Sequence, residues 1–390
     1  MQQISLGKTL DVEVVEQELA ALWQGTTGEA RPHEVTSNQA PSDEETTILR
    51  ARAANLLVFV SDDKALAEVH ELLQELTAAH PSRVLAMFGE NDAPDRDIEM
   101  YVSALSQKEK QTKRLCCEEV TLKAQGSFVA ELPSAALPLL VSDLPTFLWW
   151  RTVIDNAQKV FGNLLHASDR LIVDSAEFQK PLPELAAVNT IFQQDFETPV
   201  GISDLNWARL TSWRGLLADF YDVHAYRPAL DAIDNVHISY VAPQTDADAI
   251  APQALLMAGW LASRLQWTMK DKVPIQDTEI TIFEVGNQTG QTVTIELRRI
   301  KEAAIKPGRL ARVELESRTN ASSFKVERSA DRERVLTEAN VGADVQGGRV
   351  LPVRNRSTAQ LLIREMEILC NDQIYQEALA VASELIDRCA

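Results

Sequence analysis

"NLLVFV" at residues 55–60, running into "SDD" at 61–63, decides how this chain begins to fold. The run is short and almost continuously apolar, which suits a strand buried on both faces. The Ser-Asp-Asp cluster that follows is a helix N-cap signal. Leu66, Val69, Leu72, Leu73 and Leu76 then fall on one helical stripe, and "RVLAMF" at 83–88 repeats the buried-strand pattern. Strand, helix and strand at this spacing predict a βαβ unit. Further strands are expected in "EMYVSALS" (99–106), "LCCEEVTLKAQ" (115–125), "FLWW" (147–150) and "RLIVDS" (170–175). Together they predict an α/β sheet of about six strands, mostly parallel.

Upstream, Val12, Val15, Leu19 and Leu22 recur at helical spacing, so residues 11–24 read as one amphipathic helix that packs on its own chain or on a partner. Residues 25–46 are polar and read as a flexible linker. Downstream, the middle of the chain reads as helical. "SDLNWARLTSWRGLLADFYD" (203–222) carries Trp207, Leu210, Leu217 and Tyr221 on one face, with Arg214 on the same stripe. "QALLMAGWLASRLQWTMK" (253–270) is apolar nearly all round and predicts a buried helix, with Trp260 and Trp267 one heptad apart.

From 279 to 327, "EITIFEV", "QTVTIELRRI", "LARVELESR" and "SSFKVER" alternate with period two, which predicts an antiparallel meander with one wet face. Two terminal helices follow, the first opened by a capping box of Ser357 and Gln360. The expected organisation is an N-terminal helix and linker (1–46), an α/β domain (47–180), and a helical and antiparallel α+β domain (181–390). The fold class passes from α/β to α+β: a mostly parallel sheet domain, then an antiparallel sheet packed against helices.

A chain of 390 residues with 45% hydrophobic and 24% charged residues has the profile of a globular protein of two domains. Its net charge of −19 opposes general binding to nucleic acid or an anionic membrane. Residues 298–356 are the exception: 14 Lys/Arg against 8 Asp/Glu leave +6 there and −25 elsewhere. That segment is either a mixed solvated surface or a basic face for an acidic partner or phosphorylated metabolite. The N-terminus lacks the basic start and apolar core of a signal peptide, and no run approaches the roughly 20 apolar residues that span a bilayer. A cytoplasmic location is expected.

Catalytic and cofactor motifs were sought in turn. "VSDDKA" after the first strand has no glycine, where a dinucleotide site needs several. Gly342, Gly347 and Gly348 in "VGADVQGGRV" are not followed by Gly-Lys-Ser/Thr. Six scattered histidines form no zinc-hydrolase pattern, and there is no nucleophile elbow or kinase set. Cys116, Cys117, Cys370 and Cys389 show no metal-ligand spacing. No catalytic residue, metal or cofactor is expected.

"SDLPTFLWWR" (142–151) sets two adjacent tryptophans beside an arginine, side chains that often anchor interfaces. Neighbouring strand residues point to opposite faces, so Trp149 and Trp150 cannot both enter one side of the core without a bulge or covering helix. One of them is therefore expected either to face the second domain or to meet a partner or ligand. The candidates for partner or ligand binding are Trp149, Trp150, Arg151, Trp207, Arg209, Trp213 and Arg214. Arg151, Arg209 and Arg214 are a candidate anion-binding corner. Cys370 and Cys389 are the redox candidates. If a continuous helix lies between them they stand on the order of 20–28 Å apart, beyond the ~7 Å Cα separation a disulfide allows.

These stretches, with "TILRARAANLLVFV", "HPSRVLAM", "SDRLIVDSAEF", "LMAGWLASRLQW" and "LLIREMEILCNDQIYQEAL", resemble the OpcA family of glucose-6-phosphate dehydrogenase assembly proteins. The resemblance runs from about Thr47 to the C-terminal helices. Its specific parts are Leu-Pro-x-Phe-Leu-Trp-Trp and Asn-Trp-x-Arg-Leu…Trp-Arg. It implies a non-enzymatic activator that binds glucose-6-phosphate dehydrogenase, promotes its active oligomer and answers to thioredoxin-linked redox control. The alternative left by the residues themselves is a binding protein, or a divergent enzyme, for a phosphorylated sugar.

Overall fold

The computed structural model describes residues 2–4, 12–26, 47–50, 53–109, 113–194, 199–270, 273–329, 334–342, 344–352, 356–368 and 370–389. In chain order the first elements are β1 (Gln2–Ile4), α1 (Val12–Thr26), β2 (Thr47–Arg50), β3 (Ala54–Val60), α2 (Asp63–Ala79), β4 (Ser82–Glu90), β5 (Arg96–Glu109) and β6 (Lys113–Gln125). There follow α3 (Leu132–Ala136), β7 (Thr146–Trp150), α4 (Lys159–His166), β8 (Arg170–Val173), α5 (Pro181–Gln193), β9 (Gly201–Asp204), α6 (Leu205–Arg209), α7 (Thr211–Phe220), α8 (Arg227–Leu230) and β10 (Asn235–Val241). The rest are α9 (Pro252–Arg264), β11 (Thr268–Met269), β12 (Ile275–Gln276), β13 (Ile280–Gly286), β14 (Thr292–Ile300), β15 (Leu310–Ser317), β16 (Ser322–Arg328), β17 (Arg334–Val341), β18 (Asp344–Pro352), α10 (Thr358–Glu367) and α11 (Gln373–Cys389).

The first unit comprises residues 1–173, 195–203 and 357–370. Its sheet has the order β1-β5-β6-β4-β3-β7-β8-β9, with β2 beside β6. The pairs β3–β4, β3–β7, β4–β6, β7–β8 and β2–β6 are parallel, while β5 and β1 close one side antiparallel. All seven residues of β3 and all five of β7 are buried, as strands covered on both faces must be. Asp62 caps α2 by accepting from Ala65 N at 2.7 Å, so the "SDD" signal forms the helix start it predicts.

Helix α1 packs on its own unit. Val15 and Leu19 are buried, and Glu16 pairs with Arg83, which also holds Glu118 at 2.6 Å. The linker expected at 25–46 falls, from residue 27 onward, outside the described residues. Two distant segments join this unit through specific contacts. Arg170 donates to Ser203 Oγ and to the Cys370 carbonyl, at 2.9 and 2.7 Å. Ser357 donates to Glu75 of α2, and its capping box with Gln360 is formed as the sequence predicts. The units are therefore not the contiguous 47–180 and 181–390 segments of the sequence reading.

The second unit comprises residues 174–194, 204–356 and 371–390. Its sheet runs β11-β13-β14-β10-β15-β16-β17-β18, with β12 beside β13. Strand β10, absent from the sequence reading, lies inside the expected meander, parallel to β14 and antiparallel to β15. One face is apolar. Phe283, Ile295, Val313, Leu315, Phe324 and Val326 are buried there, with Phe324 ringed by Phe220, Tyr221 and Tyr226. The opposite face carries a charge ladder, including Lys325 with Glu338 at 2.8 Å and His237 between Glu296 and Glu316.

Helix α9 is buried along most of its length and packs against β10 and α11. It ends at Arg264, so Trp267 lies beyond the helix, after the left-handed Gln266, and not one heptad along it as expected. Among the described residues, no helix is long and apolar enough to cross a membrane.

The α9–α11 contact depends on one missing side chain: a Cβ at Gly259 would sit inside van der Waals contact with the Ala378 carbonyl. Gly259→Ala is expected to destabilise by about 2 kcal/mol or more through forced separation of the helices. Gly215 in α7 has open space around its would-be Cβ, so Gly215→Ala is expected to stabilise by about 0.5–1 kcal/mol. Urea unfolding of both variants checks this pair of opposite signs.

Candidate functional site

The candidate residues lie in two places, one in each unit. In the first, the chain leaves β3 toward β4 on one side and reaches β7 and β8 on the other, so β3 and β7 flank the point where strand order reverses. The carboxyl ends of such strands are the usual ligand crevice of an open parallel sheet. Here its own residues bond to one another. The Asp62 carboxylate caps the N-terminus of α2. Arg151 turns to Glu68 of that helix at 3.0 Å and lies over the Trp149 ring. Thr152 donates to Ser61 across the two strand ends.

Trp149 and Trp150 are 0% and 2% exposed, so both are buried rather than one of them standing at the surface. Helices cover both faces of the sheet. Trp150 stacks on Phe59 and meets Phe161 of α4 edge-on, while Trp149 shares its side with Arg151, which reaches α2. No bulge is needed to bury both.

The second place is α6, and it gathers the remaining candidates. The 203–222 stretch is not the single expected helix: Ser203 and Asp204 end β9, α6 has five residues, and the chain resets at Leu210 before α7. Asp204 is the cap, its Oδ1 accepting from Asn206 N at 2.8 Å and Ser175 N at 3.0 Å. Each following residue reaches a different element. Asn206 donates to Ser175 Oγ and accepts from Gln253 Nε2 at 2.8 Å and Arg309 Nη1 at 3.2 Å. Gln253 in turn accepts from Leu310 N at the start of β15.

Trp207 donates to Asp372 at 2.8 Å and packs on Tyr375 of α11. Arg209 grips Asp174 with two bonds of 2.6 and 2.7 Å. Trp213, in α7, lies under Arg328 of β16, and Arg214 stacks over Trp207. Of the three arginines of the expected corner, Arg151 engages Glu68 within the first unit, while Arg209 engages Asp174 and Arg214 the Trp207 ring within the second.

The cluster's electrostatics follow from its burial. Desolvation, and then the neighbouring Asp174 carboxylate, push the Asp204 carboxyl up to about 6. Burial also works against the Arg209 charge, but Asp174 outweighs it and holds the guanidinium above its ordinary value. Arg309 goes the other way: burial first, then repulsion from Arg209, bring it down to about 10, so it stays charged at neutral pH.

Sequence reasoning found Trp207, Arg209, Trp213 and Arg214 but not Asp174, Asn206, Gln253, Arg309 or Asp372. Only the Arg214 stripe argument hinted that a polar group was needed among them.

The cysteines are far from this network in chemistry. Helix α11 runs unbroken from Gln373 to Cys389, about 24 Å at 1.5 Å per residue, so a Cys370–Cys389 bridge requires it to unfold. Both thiols are free; Cys370 is exposed, and burial raises the Cys389 thiol, which suppresses its thiolate. Cys116 and Cys117 lie on β6. Among the described residues no group of three His, Cys, Asp or Glu is placed to hold a metal.

Two family models match this chain. Residues 73–190 match the glucose-6-phosphate dehydrogenase subunit N-terminal domain and residues 200–379 the C-terminal domain of that subunit, both of the OpcA family. The chain belongs to the OpcA family. A relative from Nostoc punctiforme, named as an OxPP cycle protein OpcA, is 28% identical over 370 residues, 91% of this chain and 77% of its own length. The namesake from Synechocystis is 27% identical over 318 residues, 80% of this chain and 65% of its own. KijD10, a 3-ketoreductase from Actinomadura kijaniata solved with NADP, superposes at a TM-score of 0.47 with 10% identity, over 86% of this chain and 96% of its own. That likeness carries no weight for fold or function.

The two OpcA domains meet the chain where the fold changes unit: the first match ends within α5 and the second begins just before β9. The Asn-Trp-x-Arg-Leu…Trp-Arg motif lies in the second, and its side chains are spent on binding the second unit to itself.

Asp204 supplies a pH test of that network. Its folded pKa lies above the ordinary 3.8, so between about 4 and 6 the native state holds more protons than the unfolded chain. Its contribution to stability is therefore fully present below 3.8 and is lost as pH rises through about 6. Asn is as good an N-cap as Asp. Asp204→Asn is expected to match or exceed the native stability at pH 7, by on the order of 1–3 kcal/mol, with the gap closing toward pH 4. Urea unfolding at pH 4, 5, 6 and 7 measures the gap, and a gap independent of pH contradicts the assignment.

Proposed function

We propose that this chain is a non-catalytic partner of glucose-6-phosphate dehydrogenase that binds the enzyme, promotes its active oligomer and raises its rate in the oxidative pentose phosphate pathway. The observation that carries this reading is the pair of family matches, over residues 73–190 and 200–379, both described as domains of a glucose-6-phosphate dehydrogenase subunit. The site geometry is in keeping with it. Asp62 caps α2 after β3, where a nucleotide fold has glycines, and motif side chains Trp207 and Arg209 bond within the second unit.

An activator needs no reacting group. It has only to bind the active form of the enzyme better than the inactive one, and about 1–3 kcal/mol of such preference gives roughly 5- to 150-fold coupling. Redox control through thioredoxin, with Cys370 and Cys389 as its targets, is the finer part of the proposal. It has to act on separate thiols or through another chain, given the helix between them.

The test is co-elution and rate measurement with the purified cognate dehydrogenase under reducing and oxidising conditions. Co-elution with a raised rate is expected. A difference between the two conditions that Cys370→Ser or Cys389→Ser removes is expected for redox control. No co-elution and no rate change in either condition would contradict the activator reading.

A further inference from the structure

Among the described residues of the α6 cluster, Arg309 is hydrogen-bonded to no carboxylate, although Asp174 and Asp204 act on its charge from a distance. Asp174 gives both its oxygens to Arg209, and Asp204 takes the backbone N–H groups of Ser175 and Asn206 on Oδ1. Among the described residues the single side-chain hydrogen bond of Arg309 goes to a neutral amide, Asn206 Oδ1. Burying a guanidinium on those terms is costly unless an anion completes it. Arg209 and Arg328 add positive charge nearby, which Asp174 and Asp204 offset only in part. The residue is only partly exposed, neither sealed nor on open surface.

Its backbone is also fixed in advance. Gly308, in the left-handed region at φ +74°, donates to the carbonyls of Val241 and Ala242 at 3.0 Å, and the Arg309 carbonyl accepts from Val241 N at 3.0 Å. The guanidinium is thus carried on a turn pinned to the end of β10, while Asn206 orients its Nη1. A planar guanidinium with unused donors, supported by two further arginines, matches the oxygens of a tetrahedral oxyanion better than a lone ammonium would.

We infer that the second unit carries a binding site for a small phosphate-bearing anion, centred on Arg309 and flanked by Arg209, Arg328 and the Asn206 amide. This is independent of the partnership with the dehydrogenase, since the site belongs to this chain alone. It makes the protein responsive to a phosphorylated small molecule, whose phosphate supplies the missing countercharge.

The experiment follows the thermal unfolding of the full chain during titration with inorganic phosphate and, separately, a hexose phosphomonoester, each against sodium chloride at equal ionic strength. The chloride control is essential because salt alone relieves self-repulsion in a chain of net charge −19. A saturable rise in Tm beyond the chloride control is expected. Arg309→Gln is expected to weaken it by about tenfold or more, the loss of charge-assisted hydrogen bonds. Arg309→Lys, keeping the charge without the fork, is expected to lie between. A tighter response to the phosphomonoester identifies a metabolite as the ligand, and equal responses identify free phosphate.

Arg309→Gln removes a poorly compensated buried charge and is expected to fold. If it does not, Arg309→Lys and the phosphorus-31 line width of the titrated phosphate with native protein carry the test. No rise beyond chloride, no line broadening, or a response that Arg309 substitution leaves unchanged would overturn the inference.

Discussion

The second unit depends on the buried ion pair between Asp174 and Arg209. Asp174 begins the unit directly after β8, and Arg209 closes the short helix α6, so their two bonds fix where the chain re-enters after the β9 strand. Such a pair is costly to form and far more costly to break, because removing one partner leaves the other charged and buried. Once Arg209 is held, Asn206 is presented to α9 and β15 and Trp207 to α11. Five residues of helix thereby tie together elements more than a hundred positions apart.

The first unit shows the opposite economy. It has the parallel, doubly covered sheet on which ligand sites are commonly built, yet the ends of β3 and β7 are closed by Asp62, Arg151, Glu68 and Thr152. The arginine that looked free in the sequence balances a glutamate on the neighbouring helix, and the paired tryptophans fill the two sides of the sheet. A fold of this kind does not dictate a reaction, and function has to be argued from sites.

Much of the first unit was legible because its signals are local. A run of apolar residues as short as 55–60 ending in a cap cluster has few alternatives, and the Ser357–Gln360 box is a three-residue pattern. The second unit was legible only in outline. The period-two strands after 279 were readable, but β10 lies upstream among helices, and its insertion parallel to β14 is decided by pairing at long range. The 203–222 stretch has helical periodicity throughout, and nothing local reveals the break that Asp204 capping and the Leu210 reset impose. Asn206 and Arg309 are 103 residues apart and Trp207 and Asp372 are 165, so these partners could not be assigned from either residue's neighbours. Arg214, on the apolar stripe of that stretch, lies over the Trp207 ring, a contact that spacing alone does not specify.

The most direct measurement is a double-mutant cycle on the pair at the root of the network, using Asp174→Asn, Arg209→Gln and both together, followed by urea unfolding at pH 7. If Asp174 and Arg209 organise the second unit as described, each single change destabilises strongly and the double change recovers part of the loss. The coupling is then about 2 kcal/mol or more. Additive effects, with coupling below about 0.5 kcal/mol, would contradict it and leave α6 held by its aromatic contacts alone.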